Sequence, residues 1–457
     1  MSPPSSQITA WRNNVTTKTA DQHPSSAYRA YVLFILVVVY TFNFIDRQII
    51  GILKEPIKED LGLTDSQLGL MGGVPFALFY ATLGIPIAWL ADRTNRTWIM
   101  TAALTIWSGM TAVCGLATSF VGLLLARMGV GAGEAGGVAP AYSLIADYFP
   151  PEKRARALAI YAFGIPIGSA IGIVLGGVLL DIVGWRTAFI TVGLLGVVIA
   201  PIFLLTVREP VRGGYDKQGQ ATKAAGFFEV FSYVSKKPSF WTMSVGAASS
   251  SMMGYGLIYW LPSYYYRSFG DALPEFFSWM PDFLVPDNPS PLLYASYFYG
   301  AILLVGGMIG VWAGGAIADA FGKKHKGAYA LIPSIAFALT VPFFLAGVLS
   351  KSLLVVFIAF LFIQSLSLVW LGPITAAFQH IVPANMRATA SAIFLLINNL
   401  IGIAVGTQVI GTLSDVLKDQ YGDESLRYSL LCGTVFYAIA AILLYISSKR
   451  LKKDWVN

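Results

Sequence analysis

Twelve runs of mostly apolar residues set the terms for this chain of 457 residues. They cover about 30–53, 67–91, 98–117, 121–146, 157–180, 187–207, 239–266, 293–318, 327–349, 352–379, 389–413 and 425–448, and in chain order they are spans 1 to 12. A helix of about 20 such residues crosses the hydrocarbon core of a bilayer. Barrel strands would alternate apolar and polar residues, and these runs do not. In lipid every backbone N–H and C=O must be satisfied within the protein, which a helix does alone. The chain is therefore expected to be an all-α, multi-pass membrane protein with twelve transmembrane helices. Only 12% of its residues are charged, against about 25% in soluble domains.

Several function classes are excluded at once. The two cysteines, Cys114 and Cys432, both lie in apolar runs and form neither a disulfide framework nor a metal motif. His23, His325 and His380 have no ligand spacing. No metal and no cofactor is expected, and no constellation of an enzyme is present. "GVGAGEAGG" lacks the Lys-Ser/Thr of a phosphate loop and lies in a span. Residues 1–29 are polar, show no cleavable signal peptide, and read as a flexible cytoplasmic tail.

Lysine and arginine orient the spans. With both termini cytoplasmic, inside segments carry 22 of the 31 basic residues and outside segments seven. That bias follows the positive-inside rule. The net charge of +7 is spread over many loops, which speaks for orientation and against nucleic-acid binding.

The chain repeats itself. "APAYSLIADYFPPEKRARALA" (139–159) aligns with "GPITAAFQHIVPANMRATASA" (372–392) at an offset of 233, so that Pro140 meets Pro373, Pro150 meets Pro383 and Arg154 meets Arg387. "AWLADRTNR" (88–96) aligns with "GAIADAFGK" (315–323), pairing Asp92 with Asp319. The expected organisation is a tail (1–29), a six-helix bundle (30–207), a cytoplasmic linker (208–237), a second six-helix bundle (238–448) and a C-tail (449–457). Secondary transporters are often built from such repeats, with the substrate site between them near the midplane.

These motifs carry a resemblance. Asp92, Arg93 and Arg96 after span 2, and Arg127, Gly131, Gly133 and Glu134 in span 4, resemble signatures of the major facilitator superfamily. Ala88 and Asn95 replace the usual glycines of the first motif, whereas its second-half copy keeps Gly315 and Gly322. "FNFIDRQIIGILKEPIKEDLGLTDSQLGLMGG" and "GVGAGEAG" resemble, more narrowly, the Spinster lipid transporters. The likeness is strong over spans 1 to 5 and thins in the second half. It implies two pseudo-symmetric six-helix bundles, alternating access, and a role in sealing one state for Asp92 and Asp319. Arg93, Arg96, Arg154 and Arg387 join them as gating candidates, with ordinary positive-inside anchoring as the other reading of the arginines.

Four charges stand inside the first bundle: Asp46, Arg47, Arg127 and Glu134. Each costs at least about 2.5–3.5 kcal/mol at the bilayer centre. Arg127, Gly131 and Glu134 share one helix face. Asp46 and Arg127 lie at depths that differ by only about 3 Å, so a pair between spans 1 and 4 is expected if those spans are neighbours. Asp46 and Arg47 point about 100° apart. The functional reading is proton coupling through Asp46 or Glu134, with Arg47 and Arg127 holding an anionic headgroup by forked hydrogen bonds. The structural reading is a static ion-pair network.

Glycines 164, 168, 172 and 176 in span 5, and 306, 310 and 314 in span 8, form small-residue stripes. They suit close packing, or a sliding surface between the bundles. Pro75, Pro140, Pro166, Pro262 and Pro373 are expected to kink their spans. The second bundle offers Tyr255, Tyr259, Gln364, Ser367, Trp370, Gln379, Asn398 and Asn399. With Arg47, Arg127 and Glu134, the residues Tyr255, Tyr259, Gln364, Trp370, Asn398 and Asn399 are the candidate substrate contacts, with an aromatic belt at the outer interface as the other reading of the span 7 tyrosines.

The function expected is a proton-coupled secondary transporter of lysophospholipid or sphingoid amphiphiles, a substrate class that rests on the resemblance. A proton-driven multidrug exporter or organic-anion symporter is the alternative, and a scramblase or receptor on a transporter scaffold a further one. The expected setting is a bacterial inner membrane, with both termini cytoplasmic. The expected partners are protons, a lipid-like substrate and membrane lipids, for a monomer that binds no nucleic acid.

Overall fold

The structure, a computed structural model, describes residues 24–91, 93–212, 226–322, 325–383 and 386–456. The described residues form helices and connections without strands. Span 1 is the helix Ser26–Leu61, which starts at a Ser25 cap and stops where Gly62 takes φ 62°. Span 2 is two helices, Asp65–Gly72 and Val74–Ala91, and span 3 is Arg96–Cys114. Spans 5 and 6 share the segment Gly164–Thr206, bent at Gly184 with φ 75°, a conformation that favours glycine. Spans 7, 8, 9, 11 and 12 are Pro238–Phe269, Pro291–Gly322, Ala328–Leu349, Arg387–Tyr421 and Ser425–Asp454.

Spans 4 and 10 are each broken. Span 4 runs as Phe120–Glu134 and Val138–Tyr148, and span 10 as Leu353–Leu368 and Leu371–His380. Proline has no N–H for the carbonyl four residues back. Pro140 leaves Gly136 without that partner and Pro373 leaves Val369 without it, and both breaks fall at those residues. The repeat is thus a repeat of backbone geometry.

Eight helical segments are long and apolar enough to cross a membrane, and two of them, Arg156–Thr206 and Thr389–Asp454, each hold two crossings. The other two crossings are the broken span 4 and span 7, whose serines and tyrosines lower its hydropathy. The result is twelve crossings in two six-helix halves.

Glycines set the packing within each half. A Cβ on Gly168 would stand 2.4 Å from the Thr41 carbonyl, and one on Gly310 would stand 2.2 Å from that of Ser365. The two stripes therefore lock span 5 onto span 1 and span 8 onto span 10, inside their own halves. The halves meet where spans 1 and 7, 2 and 11, and 5 and 8 face each other. Gly177 against Ser296, Gly300 against Val174 and Gly307 against Pro166 are the close approaches there. The sliding-surface expectation thus moves from the stripes to these neighbouring glycines.

Candidate functional site

One end of the molecule is sealed by bonds between the halves. Arg267 of span 7 donates to Glu55 of span 1 and Asp65 of span 2. Asp415 of span 11 accepts from the backbone N–H groups of Asp65 and Ser66 at 3.1 and 2.7 Å. Tyr259 O–H donates to the Leu68 carbonyl at 2.5 Å, Trp260 donates to Thr407, and the Thr407 hydroxyl donates to Gly69. At the opposite end, where Arg96, Glu209 and Lys237 lie, the side chains bond within one half. Arg96 holds Asp147 at 2.5 Å and Glu209 at 2.6 Å, and Lys237 donates to the Asp454 carbonyl at 2.7 Å.

Between the two ends lie the membrane charges. Arg47 and Glu134 form an ion pair between spans 1 and 4, with side chains 12% and 0% exposed. Small residues make this possible. A Cβ on Gly131 would meet the Phe76 carbonyl at 2.8 Å, and one on Gly133 would meet the Trp107 backbone at 2.6 Å. Span 4 thereby sinks against spans 2 and 3 and delivers Glu134 to the interior. Asp46 and Arg127 do not form the expected side-chain pair. Arg127 Nη1 donates to the backbone carbonyl of Asp46 at 3.4 Å. The Asp46 carboxylate turns to span 3, where Ser108 Oγ donates at 3.4 Å. The 100° between Asp46 and Arg47 explains this: Arg47 faces span 4, so Asp46 faces span 3.

Buried polar groups with loose or unmade hydrogen bonds gather here: Asn43 beside Glu134, Thr111 beside Asp46, and Arg127 Nε. Buried groups of this kind normally hold water or ligand. Aromatic rings complete the site. The Phe76 ring lies 5.4 Å from the Arg47 guanidinium and 5.3 Å from that of Arg127, and the Tyr80 ring 4.7 Å from Arg47. Tyr40 stacks on Tyr161 at 4.3 Å, and Tyr142 meets Tyr161 edge-on.

Sequence reasoning placed its aromatic contacts in the second half and missed Tyr40, Phe76, Tyr80, Tyr142 and Tyr161 of the first. Their signal was spacing alone: Phe76 and Tyr80 are four residues apart on span 2. Among its second-half candidates, Tyr255 is within electrostatic reach of Arg47, with its ring against Gly402 of span 11. Tyr259 is part of the seal. Asn398 is buried and accepts from Ser251 at 2.8 Å, with Asn399 next to it. Trp370 packs edge-on against Phe394, and Gln364 lies against Gly306 of span 8.

Of the gating candidates, Arg93, Arg96 and Arg154 stand at the end opposite the seal. Arg96 is buried between Asp147 and Glu209, Arg93 stacks on Trp89 at 4.0 Å, and Arg154 donates to the carbonyls of Ala146 and Phe149 that end span 4. Asp92, and the side chains of Asp319, Gln379 and Arg387, lie outside the described residues.

The family model of the Major Facilitator Superfamily matches residues 36–407. The chain belongs to the major facilitator superfamily. It is an integral multi-pass membrane transporter of Spinster-like type. An MFS-type efflux pump of Mycolicibacterium smegmatis is 33% identical over 455 residues, covering 97% of this chain and 98% of that protein. Protein spinster homolog 1 of Bos taurus is 28% identical over 430 residues, covering 90% of this chain and 79% of that protein. A crystal structure of a bacterial homolog to the human lysosomal transporter Spinster, inward-facing and unoccupied, matches with a TM-score of 0.83 at 33% identity, over 95% of this chain and all of that one.

Proposed function

We propose that this transporter moves a lysophospholipid or sphingoid amphiphile by alternating access, driven by protons, as a monomer in a bacterial inner membrane. Both termini and the 208–237 linker then face the cytoplasm. The sealed end is outside, and the structure is the inward-facing state. The observation that carries the reading is the buried Arg47–Glu134 pair, set beside Asp46 and a cluster of loosely bonded polar groups. The loose hydrogen bonds of these groups support a site that exchanges protons and takes an anionic group rather than a static network.

In this scheme Arg47 and Arg127 receive the acidic headgroup across the Phe76 ring. Tyr40, Tyr80, Tyr142, Tyr161 and Tyr255 flank it. Protonation of Asp46 or Glu134 weakens the hold of span 1 on spans 3 and 4 and shifts the balance of states. Trp370, Gln364, Asn398 and Asn399 line the path of the chain. Asp92, Arg93, Arg96, Arg154, Asp319 and Arg387 close the linker end in the opposite state.

The efflux-pump name of the mycobacterial relative supports a second reading, proton-driven export of hydrophobic compounds. Liposome uptake of labelled lysophospholipid, with and without a pH gradient, tests the first. Gradient-dependent uptake that Asp46→Asn abolishes supports it. Gradient-driven movement of hydrophobic dyes without any lysophospholipid uptake selects the export reading.

A further inference from the structure

Lys54 of span 1 is fully buried, yet among the described residues no carboxylate lies within ion-pair distance of it. Its ammonium donates to the Gly51 carbonyl at 2.8 Å and to the Tyr259 carbonyl on span 7. The ring centroids of Tyr259 and Trp260 stand 4.9 and 5.1 Å away. The neighbouring carboxylates, Glu55 and Asp65, are held by Arg267. A buried amine held by carbonyl dipoles and ring faces, with Glu55 and Asp65 nearby but bonded to Arg267, has no ion-pair partner of its own and can take an anion once water reaches it.

Its place on the helix gives that capacity a direction. Lys54 follows Arg47 by seven residues, so the two share a helix face about 10 Å apart along the axis. On span 7, Tyr255 is within electrostatic reach of Arg47 and Tyr259 stands beside Lys54. The groups that cover Lys54 from the far side, the Tyr259 carbonyl and both rings, all belong to the second half. When the sealed end parts between spans 1 and 7, that cover leaves and the ammonium faces the opening.

We propose that Lys54 is a second anion site, hidden in the sealed state, which takes the acidic headgroup of an amphiphile from Arg47 when the sealed end opens. The inference rests on the anionic-amphiphile reading of the central site. The two cations are unequal in a way that favours transfer. Arg47 keeps Glu134 when a headgroup departs, whereas the exposed Lys54 has no carboxylate of its own. Reclosure returns the Tyr259 carbonyl and the rings to Lys54 and displaces the anion outward.

Amine footprinting of the full-length protein in liposomes reads this site. A membrane-impermeant N-hydroxysuccinimide ester acylates exposed lysines from the sealed end, and mass spectrometry reports the yield at Lys54. Arg267→Met opens the seal by releasing Glu55 and removing one of the holds on Asp65, and Asp415→Ala opens it by another route, so misfolding of one variant leaves the other. Lys54 labelling, which follows the opened population, is expected to rise about a hundredfold over the wild type in Arg267→Met and about tenfold in Asp415→Ala. Dodecyl phosphate should suppress it, and uncharged dodecyl maltoside should not. Lys54 that stays unlabelled in both variants while Lys58 reacts overturns the proposal, and so does labelling indifferent to dodecyl phosphate. Protection of Lys54 in a protein that moves no lysophospholipid keeps the anion site and sinks the lipid reading. Lipid flux with an unprotected Lys54 does the reverse.

Discussion

Arg267 of span 7 donates to both carboxylate oxygens of Asp65 on span 2, at 2.7 and 2.8 Å, while also holding Glu55 of span 1. Such forked pairing is the strong form of an ion pair. The side chains are 13%, 4% and 7% exposed; Asp65 keeps Lys58 at 2.6 Å and Ser414 at 2.8 Å, so removing the arginine strands Glu55 and costs toward the lower end of about 3–5 kcal/mol. Opening the seal lets water reach it. Arg267→Met is therefore expected to raise the opened population by roughly a hundredfold, the equivalent of about 3 kcal/mol. Spin-label distances between Glu59→Cys and Lys418→Cys, in a Cys432→Ser background because Cys432 is exposed, read the change. An unchanged distance distribution would remove Arg267 from the seal.

Asp415 acts on the same end by another means. It caps the start of Asp65–Gly72 from across the interface, accepting from two backbone N–H groups and from Ser66 Oγ at 2.5 Å. Losing such a cap costs about 0.5–2 kcal/mol, and its charge complements the helix N-terminus. Asp415→Ala should open the seal by about tenfold in the same spin-label measurement, and Asp415→Asn by less. Equal effects of Ala and Asn would mean that the charge, and not the cap, matters.

The sequence disclosed the crossings and their breaks because both have local causes. Apolar run lengths mark the spans, and Pro140 and Pro373 mark the breaks at one register. It disclosed the four membrane charges because charge in an apolar run stands out. It did not disclose that Arg47, rather than Asp46, meets span 4. That choice depends on Gly131 admitting Phe76, a contact between distant segments. Tyr40, Tyr80, Tyr142 and Tyr161 stayed hidden because an aromatic residue in a span reads equally as core or lipid-facing. Lys54 stayed hidden because the charges at 54–60 end the hydropathic run, although the helix continues to Leu61.

The interface glycines separate motion from folding. Gly168 presses on the Thr41 backbone within one half, whereas Gly177 faces the Ser296 side chain across the interface at 2.3 Å from an added Cβ. Gly168→Val should therefore lower the melting temperature by several degrees, consistent with an overpacking cost of about 1–3 kcal/mol. Gly177→Val should leave each half folded, shift the spin-label distances toward the opened state and slow transport. A melting loss at Gly177 as large as at Gly168 would show that the two halves fold as one unit.

Glu134 and Asp46 are expected to fail in different ways. Glu134→Gln strips Arg47 of its charged partner but leaves the guanidinium among Phe44, Phe76 and Tyr80. A freed arginine should bind dodecyl phosphate about tenfold more tightly, while gradient-driven flux falls. Asp46→Asn removes a carboxylate that faces Ser108 at 3.4 Å and Thr111 on span 3, and that forms no side-chain pair with Arg47 or Arg127. Dodecyl phosphate affinity should therefore stay the same, while the pH gradient ceases to drive flux. Titration calorimetry and liposome flux, run on both variants, divide the two roles. Tighter binding in both variants would mean that the carboxylates share a proton as one coupled unit, with Arg127, bonded to the Asp46 carbonyl, as the link between them.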